Sequence, residues 1–421
     1  MRHLKNHIRI FEHESIYTDR GTDKINESEF KNLQIHFSSR KVKYFSLIHN
    51  GIKFNEFVGV LQVGSTIIEV LPKADRNSDK NMWHNILINM LKTIGNPDIH
   101  ATSSSSLNLK SNSILELYFE LFIIETERLL HEGLTKKYRK TEKNLTALKG
   151  KLNFGKNIQK NIVHKERFYV SYYTYDREHL LNSILYKTLK LLSLINRNPV
   201  LSSRIGALLL NFPEMPDIKV SEKTFSDIVY NRKTERYKNA VNIAKLLLLN
   251  FHPDIKRGSN DVLALMFDMN MLWEKFVVKS LIRYRKENYR VRPQVRINFW
   301  KPVTGYNNYM KPDIVIESYK DEIKEKSFVL DTKWKNMNNR NISMDDLRQM
   351  YAYSKFHNNA KSALVFPGNE GKMVKGNYYH EETGEVSDTE CSLLLIEVCA
   401  DVMKWQKEIA GSVYGFLEEE L

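Results

Sequence analysis

Four short apolar runs in the last part of the chain constrain its fold more than any other feature. They are Asp313-Ile314-Val315-Ile316, Phe328-Val329-Leu330, Ala363-Leu364-Val365-Phe366 and Leu393-Leu394-Leu395-Ile396. Runs of this length, bounded by charged residues and mostly rich in branched side chains, read as buried strands. Met344 to Phe356, between the second and third runs, has helical spacing. Strand, strand, helix, strand predicts an α/β core with a parallel crossover through that helix. A helix is expected ahead of it, over Val262 to Tyr284.

The rest of the chain has a different texture. Residues 1 to about 75 read as β-rich, with a hairpin formed by residues 57–64 and 66–71 around Gly64-Ser65 and ended by Pro72. Trp83 to Ile94 and Ile114 to Leu130 have helical spacing, the second stopping at Gly133. Ser103 to Ser106 form a serine tract that reads as a loop. Residues 176 to 250 read as mainly helical, Leu180 to Leu185 and Ile243 to Leu249 being assigned to helix by their leucine and alanine content. The expectation is an α/β chain, α+β overall, in three consecutive segments. These are an N-terminal region over 1–165 that is β-rich to about residue 75, a helical lead-in over 166–260 and the α/β core over 261–421.

Of the 421 residues 42% are hydrophobic, enough for a sizeable core and for two or three domains. Lys and Arg outnumber Asp and Glu by 64 to 50, a formal charge of +14. That surplus suits a polyanionic partner through counterion release, although a lysine-rich background gives the same sum. The basic run Lys136, Lys137, Arg139, Lys140 and Lys143 is either a solvated face or a DNA or partner contact. Two cysteines, Cys391 and Cys399, are too few for a disulfide framework or a zinc site and read as buried thiols of a reducing compartment. With neither a signal-like N-terminus nor a long uncharged apolar stretch, the expected location is the cytoplasm, with no membrane association.

Chemistry concentrates in Lys311-Pro312-Asp313 and Asp331-Thr332-Lys333. Residues two apart in a strand point to one face, so Asp331 and Lys333 project together. If the two strands pair as a hairpin, Asp313 reaches the same place. Two converging carboxylates make a hard oxygen site suited to Mg²⁺ or Mn²⁺, which activates water and neutralises charge developing on a phosphodiester. The lysine adds positive charge beside the attacking water or the scissile phosphate. Burial beside a metal favours its neutral form and the carboxylates oppose that, a balance the residue types leave open. Gln349 and Tyr353 lie four apart on one face of the following helix, placed to hold a phosphate or to order the site. Glu274, on the helix that opens the core, is a further candidate metal ligand or a plain surface glutamate. This is the pattern of a metal-dependent nuclease of the PD-(D/E)XK type.

Gly150-Lys151-Leu152-Asn153-Phe154-Gly155-Lys156-Asn157 spells the start of a P-loop. Asn157 stands where the magnesium-binding hydroxyl belongs, and no convincing strand precedes it, so the chain is not expected to bind nucleotide.

The chain resembles the McrC family, the nuclease subunits of McrBC modification-dependent restriction systems. The likeness rests on Val58-Gly59-Val60-Leu61-Gln62-Val63-Gly64 with Ile68-Glu69-Val70-Leu71-Pro72-Lys73. It continues through Glu132-Gly133-Leu134, Tyr138, Glu142, Asn144 and Leu148 to Leu152. Most specific are Lys311-Pro312-Asp313, Asp331-Thr332-Lys333-Trp334 and Gln349 to Tyr353. The resemblance implies a restriction-endonuclease-like core in which Asp313, Asp331 and Lys333 are catalytic. It also implies an N-terminal region that binds and stimulates an McrB-like hexameric AAA+ GTPase. GTP then acts only through that partner, and double-stranded DNA, modified in the family's manner, is the substrate. Two rival readings stay open: a non-catalytic assembly factor that grips DNA, and a stand-alone repair or mobile-element nuclease.

Overall fold

Phe57–Val63 and Thr66–Leu71 pair antiparallel with Val63 opposite Thr66, so only two residues turn the chain. Gly64 takes φ +53°, a left-handed conformation natural to glycine in so tight a hairpin. His7–Phe11 joins Thr66–Leu71 in parallel, and Val262–Asp268 joins Phe57–Val63 antiparallel over seven residues. The structure, a computed structural model, describes residues 7–40, 42–64, 66–73, 79–95, 113–252, 262–335, 337, 342–380 and 382–419. The serine tract lies outside these residues.

The chain forms two compact units, one of Met1–Ser104 with Lys256–Leu421 and the other of Ser105–Ile255. They are drawn differently from the three consecutive segments read from the sequence. The cause in the first unit is the ladder between Phe57–Val63 and Val262–Asp268, which joins early residues to late ones.

That ladder also corrects the helix expected over Val262 to Tyr284. Its first seven residues are a strand and only Met269–Arg283 is helical. A short apolar run reads equally as helix or strand, and the free edge of Phe57–Val63 decides it. Asp268, at the junction, caps the helix by accepting from the Met271 N–H at 3.2 Å. The β-rich start also contains a helix, Glu27–Arg40, that the sequence pattern did not reveal.

The second sheet of this unit runs Tyr289–Pro293, Ile314–Lys320, Ile323–Thr332, Lys361–Gly368, Val386–Glu397, Lys372–Val374, with Asn377–Tyr379 also against Val386–Glu397. Ile314–Lys320 and Ile323–Thr332 are an antiparallel hairpin turned by Asp321 and Glu322, both at positive φ. Ile323–Thr332 pairs in parallel with Lys361–Gly368, and the helix Met344–Phe356 makes the crossover within its predicted bounds. Ser343 caps that helix, and Asp345 and Asp346 in its first turn suit the positive end of its dipole. Met350 and Tyr353 press it onto Val329, Leu364 and Leu393 of the sheet. On the other face, Trp273 stacks on Trp405 with centroids 5.3 Å apart and meets Trp334 edge-on at 5.6 Å. Trp83, from the helix Lys80–Gly95, adds an edge-on contact to Trp334. Cys391 is buried and Cys399 half-buried, both free thiols.

The other unit packs the helices Ile114–His131, Leu180–Ile195, Pro199–Asn211 and Lys238–Asn250 beside a ribbon of Lys137–Leu145, Phe168–Asp176 and Lys151–Leu152. The basic run falls on this ribbon, with Lys137, Lys140 and Lys143 exposed. The P-loop-like segment passes from the short strand Lys151–Leu152 into a helix, Phe154–Asn161, capped by Asn153. Asn157 Oδ1 accepts from the Tyr169 N–H at 2.8 Å, and Lys156 pairs with Glu142 at 2.6 Å, so both side chains tie the helix to its ribbon. No helix among the described residues is long and apolar enough to cross a membrane. The fold is thus a mixed α/β arrangement.

Candidate active site

The register of the motif hairpin sets Ile314 opposite Leu330, which places Asp313 opposite Asp331 at the end of the two strands. Opposed residues of an antiparallel pair share a face, so the two carboxylates converge as the motif spacing predicts. Lys333 lies just past the strand end, its N–H donating to Val365 O at 3.0 Å and extending the parallel ladder. The pleat returns its side chain to the Asp331 side, and Lys333 Nζ sits 2.6 Å from Asp331 Oδ2. Asp346 Oδ1, from the crossover helix, is 3.8 Å from the same nitrogen.

Burial pushes the Asp331 carboxyl above its ordinary range, and the charge of Asp313 pushes it the same way, with Lys333 opposing. Burial alone lowers Lys333, but Asp331, then Asp346 and Asp313, outweigh it and raise the ammonium above its usual value. Among the protein's own groups the carboxylates thus favour the charged lysine. Glu274 is raised by burial first and then by Asp313.

Gln349 and Tyr353 link the two halves of the motif. Lys333 Nζ donates to Gln349 Oε1 at 3.5 Å, and Gln349 Nε2 donates to the Tyr353 hydroxyl at 2.7 Å. That hydroxyl donates to Lys311 O at 3.3 Å, two residues before Asp313. Glu274 is turned to Gln294, whose Nε2 donates to Glu274 Oε1 at 2.7 Å, while the Gln294 N–H donates to Asp313 O at 2.8 Å.

Sequence reasoning passed over three residues here. Thr332 donates to Asp313 Oδ2 from both its N–H and its hydroxyl, each at 2.8 Å, and so aims that carboxylate. Its signal was a hydroxyl between the two motif residues. Asp346 was visible as an acid opening the helix after the motif. Gln294 is at φ +52° in an irregular segment, with no pattern to mark it.

Among the described residues, no group of three or more His, Cys, Asp or Glu side chains is gathered closely enough to hold an ion. Two carboxylates do converge. Asp331 Oδ2 is buried and meets the Lys333 ammonium at 2.6 Å. Asp313 offers its second oxygen, Thr332 occupying the first. Two converging carboxylates fit a Mg²⁺-like ion, which takes one or two protein carboxylates and completes its shell with water and phosphate oxygens.

This geometry can be set beside known proteins. A chain from the refined half-complex of a tetradecameric assembly of Thermococcus gammatolerans McrB AAA+ hexamers with bound McrC superposes with a TM-score of 0.65. The two are 19% identical, and the match covers 98% of this chain and 100% of that one, a likeness of fold. A chain from the cryo-EM structure of the Thermococcus gammatolerans McrBC complex matches with a TM-score of 0.49 at 20% identity, over 66% of this chain and 88% of that one. No curated protein matches. The family model described as McrBC 5-methylcytosine restriction system component matches residues 52–367, well over half of the chain and including every motif residue named above. The chain therefore belongs to the McrBC 5-methylcytosine restriction system component family.

Proposed function

We propose that the chain is the DNA-cleaving subunit of an McrBC-type restriction complex, with a PD-(D/E)XK core and a Mg²⁺-dependent site, Mn²⁺ being an alternative ion. The observation that carries this reading is the opposition of Asp313 and Asp331 with the Lys333 ammonium 2.6 Å from the second carboxylate. A bound divalent cation supplies Lewis acidity and charge neutralisation for phosphodiester hydrolysis. Asp313 and Asp331 hold it. Thr332 fixes the direction of Asp313 through two hydrogen bonds. Lys333, kept charged by its neighbours, offers an N–H donor to a phosphate oxygen at the cleavage point. Gln349 and Tyr353 keep the lysine in register with the Asp313 strand, and Glu274 stands by as a further carboxylate through Gln294.

The same proposal assigns the chain an McrB-like AAA+ GTPase hexamer as partner, whose GTP hydrolysis it stimulates, and modified double-stranded DNA as substrate. The Thermococcus assembly, in which McrB hexamers carry bound McrC, supports the partnership. So does the helix Phe154–Asn161 and its end, where Phe154, Ile158 and Ile162 recur at helical spacing and are all more than 60% exposed. A bare apolar stripe of that kind suits a protein contact, and it lies within the 1–165 region proposed to bind the ring.

The test is cleavage of methylated and unmethylated plasmid by the full chain together with the McrB-like protein from the same genome, with Mg²⁺ and GTP. Asp331→Ala is expected to abolish cutting while the chain still co-purifies with the ring. Undiminished cleavage by a folded Asp331→Ala protein sinks the nuclease assignment.

A further inference from the structure

Between Glu287 and Asp313 the chain has no carboxylate, but it has Arg290, Arg292, Arg296, Lys301 and Lys311. In the middle of this stretch Ile297–Trp300 and Asn308–Met310 form a two-stranded hairpin separate from the large sheet. Its second strand runs through Lys311 and Pro312 directly into Asp313. The hairpin is anchored at its base. Phe299 meets Phe356, at the end of the crossover helix, with ring centroids 5.4 Å apart, and Met310 is buried in the core under the motif strands.

Its remaining large side chains are bare. Trp300 is 56% exposed, Tyr309 also 56% and Tyr306 96%. None of the three makes a hydrogen bond or ring contact among the described residues. The contrast within one residue type is sharp: Trp83, Trp273, Trp334 and Trp405 are buried together in the core, and Trp300 alone of the five faces solvent. Arg296 and Lys301 are exposed and form no ion pair among the described residues. Apolar rings unsupported by packing are costly to leave in water without a partner. Rings flanked only by cations, with no acid near in sequence, suit a polyanion that also offers sugar and base-edge surface between its charges, and that is nucleic acid.

We propose that the hairpin of residues 297–310 is a DNA-gripping wedge beside the cleavage site. Arg296 and Lys301 contact backbone phosphates, and Trp300, Tyr306 and Tyr309 lie against sugars and bases of the duplex. The proposal rests on the nuclease reading for its choice of DNA but not on cleavage itself. Lys311 O accepts from Tyr353, so the wedge is tied to the helix that also positions Lys333. The DNA segment held by the rings is thereby set at a fixed offset from Asp313.

Binding without cutting tests it. The full chain in EDTA is titrated onto a fluorescein-labelled, mixed-sequence DNA duplex and followed by anisotropy at several salt concentrations. Joint replacement Trp300→Ala, Tyr306→Ala and Tyr309→Ala is expected to weaken binding about tenfold or more, with the salt slope unchanged. The matching set of Phe replacements keeps a ring at each position and is expected to restore affinity. Arg296→Ala with Lys301→Ala lowers the salt slope by about two. Iodide quenching of the wild type reads the single exposed indole, and duplex is expected to shield it. Wild-type affinity in the triple alanine variant, or an indole as open to iodide with duplex as without, overturns the wedge and leaves the nuclease reading intact. Ring-dependent binding by a chain that never cuts does the reverse.

Discussion

Gln349 and Tyr353 are joined by a 2.7 Å hydrogen bond, and through it the Lys333 ammonium is linked to the main chain that leads into Asp313. The two halves of the motif, which sit on different strands, thus share a common brace on the crossover helix. Tyr353→Phe removes one hydroxyl from a buried residue and leaves the ring in the core. The expected stability loss is about 1 kcal/mol, typical of a single hydrogen bond. The expected loss in kcat is larger, about tenfold, because the lysine and Asp313 are no longer held in register. Single-turnover cleavage beside a melting curve separates the two effects. An unchanged rate at saturating Mg²⁺ counts against the brace.

Glu12 gives the clearest pH dependence. Burial pushes its carboxyl up to about 7, although the Lys73 N–H and the Trp334 indole N–H both donate to Oε1 and pull it down. The folded value lies above the unfolded one, so the stabilising state is the protonated one. That contribution is whole below the ordinary carboxylate range and disappears as pH rises through 7. The span corresponds to about 3 kcal/mol. Melting temperature in EDTA is therefore expected to fall between pH 5.5 and 8. In Glu12→Gln, which cannot ionise, that part of the slope is expected to vanish, and equal slopes in the two proteins contradict the assignment.

Gly59 marks the join between early and late residues of the first unit. It has φ +139°, and a Cβ there stands 2.1 Å from Leu265 O on the partner strand. Gly59→Ala meets backbone, not a movable side chain, and is expected to cost about 3 kcal/mol or more. Val58→Ala, next to it in the same strand, is the control for simple loss of packing. Denaturant unfolding decides the matter: if Gly59→Ala is no worse than Val58→Ala, the close approach is not what fixes this position.

The motif strands, the crossover helix and the Asp313–Asp331 opposition were legible because each has a local signature. Period-two alternation puts Asp331 and Lys333 on one side, and helical spacing puts Gln349 beneath Tyr353. The strand Val262–Asp268 was not legible as a strand, since its apolar run becomes one only through the edge of Phe57–Val63, far away in sequence. Gln294 was invisible for a related reason. Its role depends on a left-handed backbone that turns the chain between Glu274 and Asp313, and nothing in an isolated glutamine reports that. Asp346 was in view as a helix-opening acid, but only its distance to Lys333 gives it meaning at the site.

The ladder between Phe57–Val63 and Val262–Asp268 also sets a timetable. The N-terminal hairpin leaves the ribosome long before its antiparallel neighbour exists. At ordinary rates of synthesis the wait is on the order of 10 to 40 s. Throughout it, the strand from Phe57 to Val63 has one edge of unpaired amides and carbonyls, the kind of template that captures other chains. The helical unit encoded between the two strands is contiguous and can form during that interval. The unit that carries the motif residues cannot be completed until Val262–Asp268 arrives to extend the sheet that its first hundred residues began, and the motif sheet follows only after it.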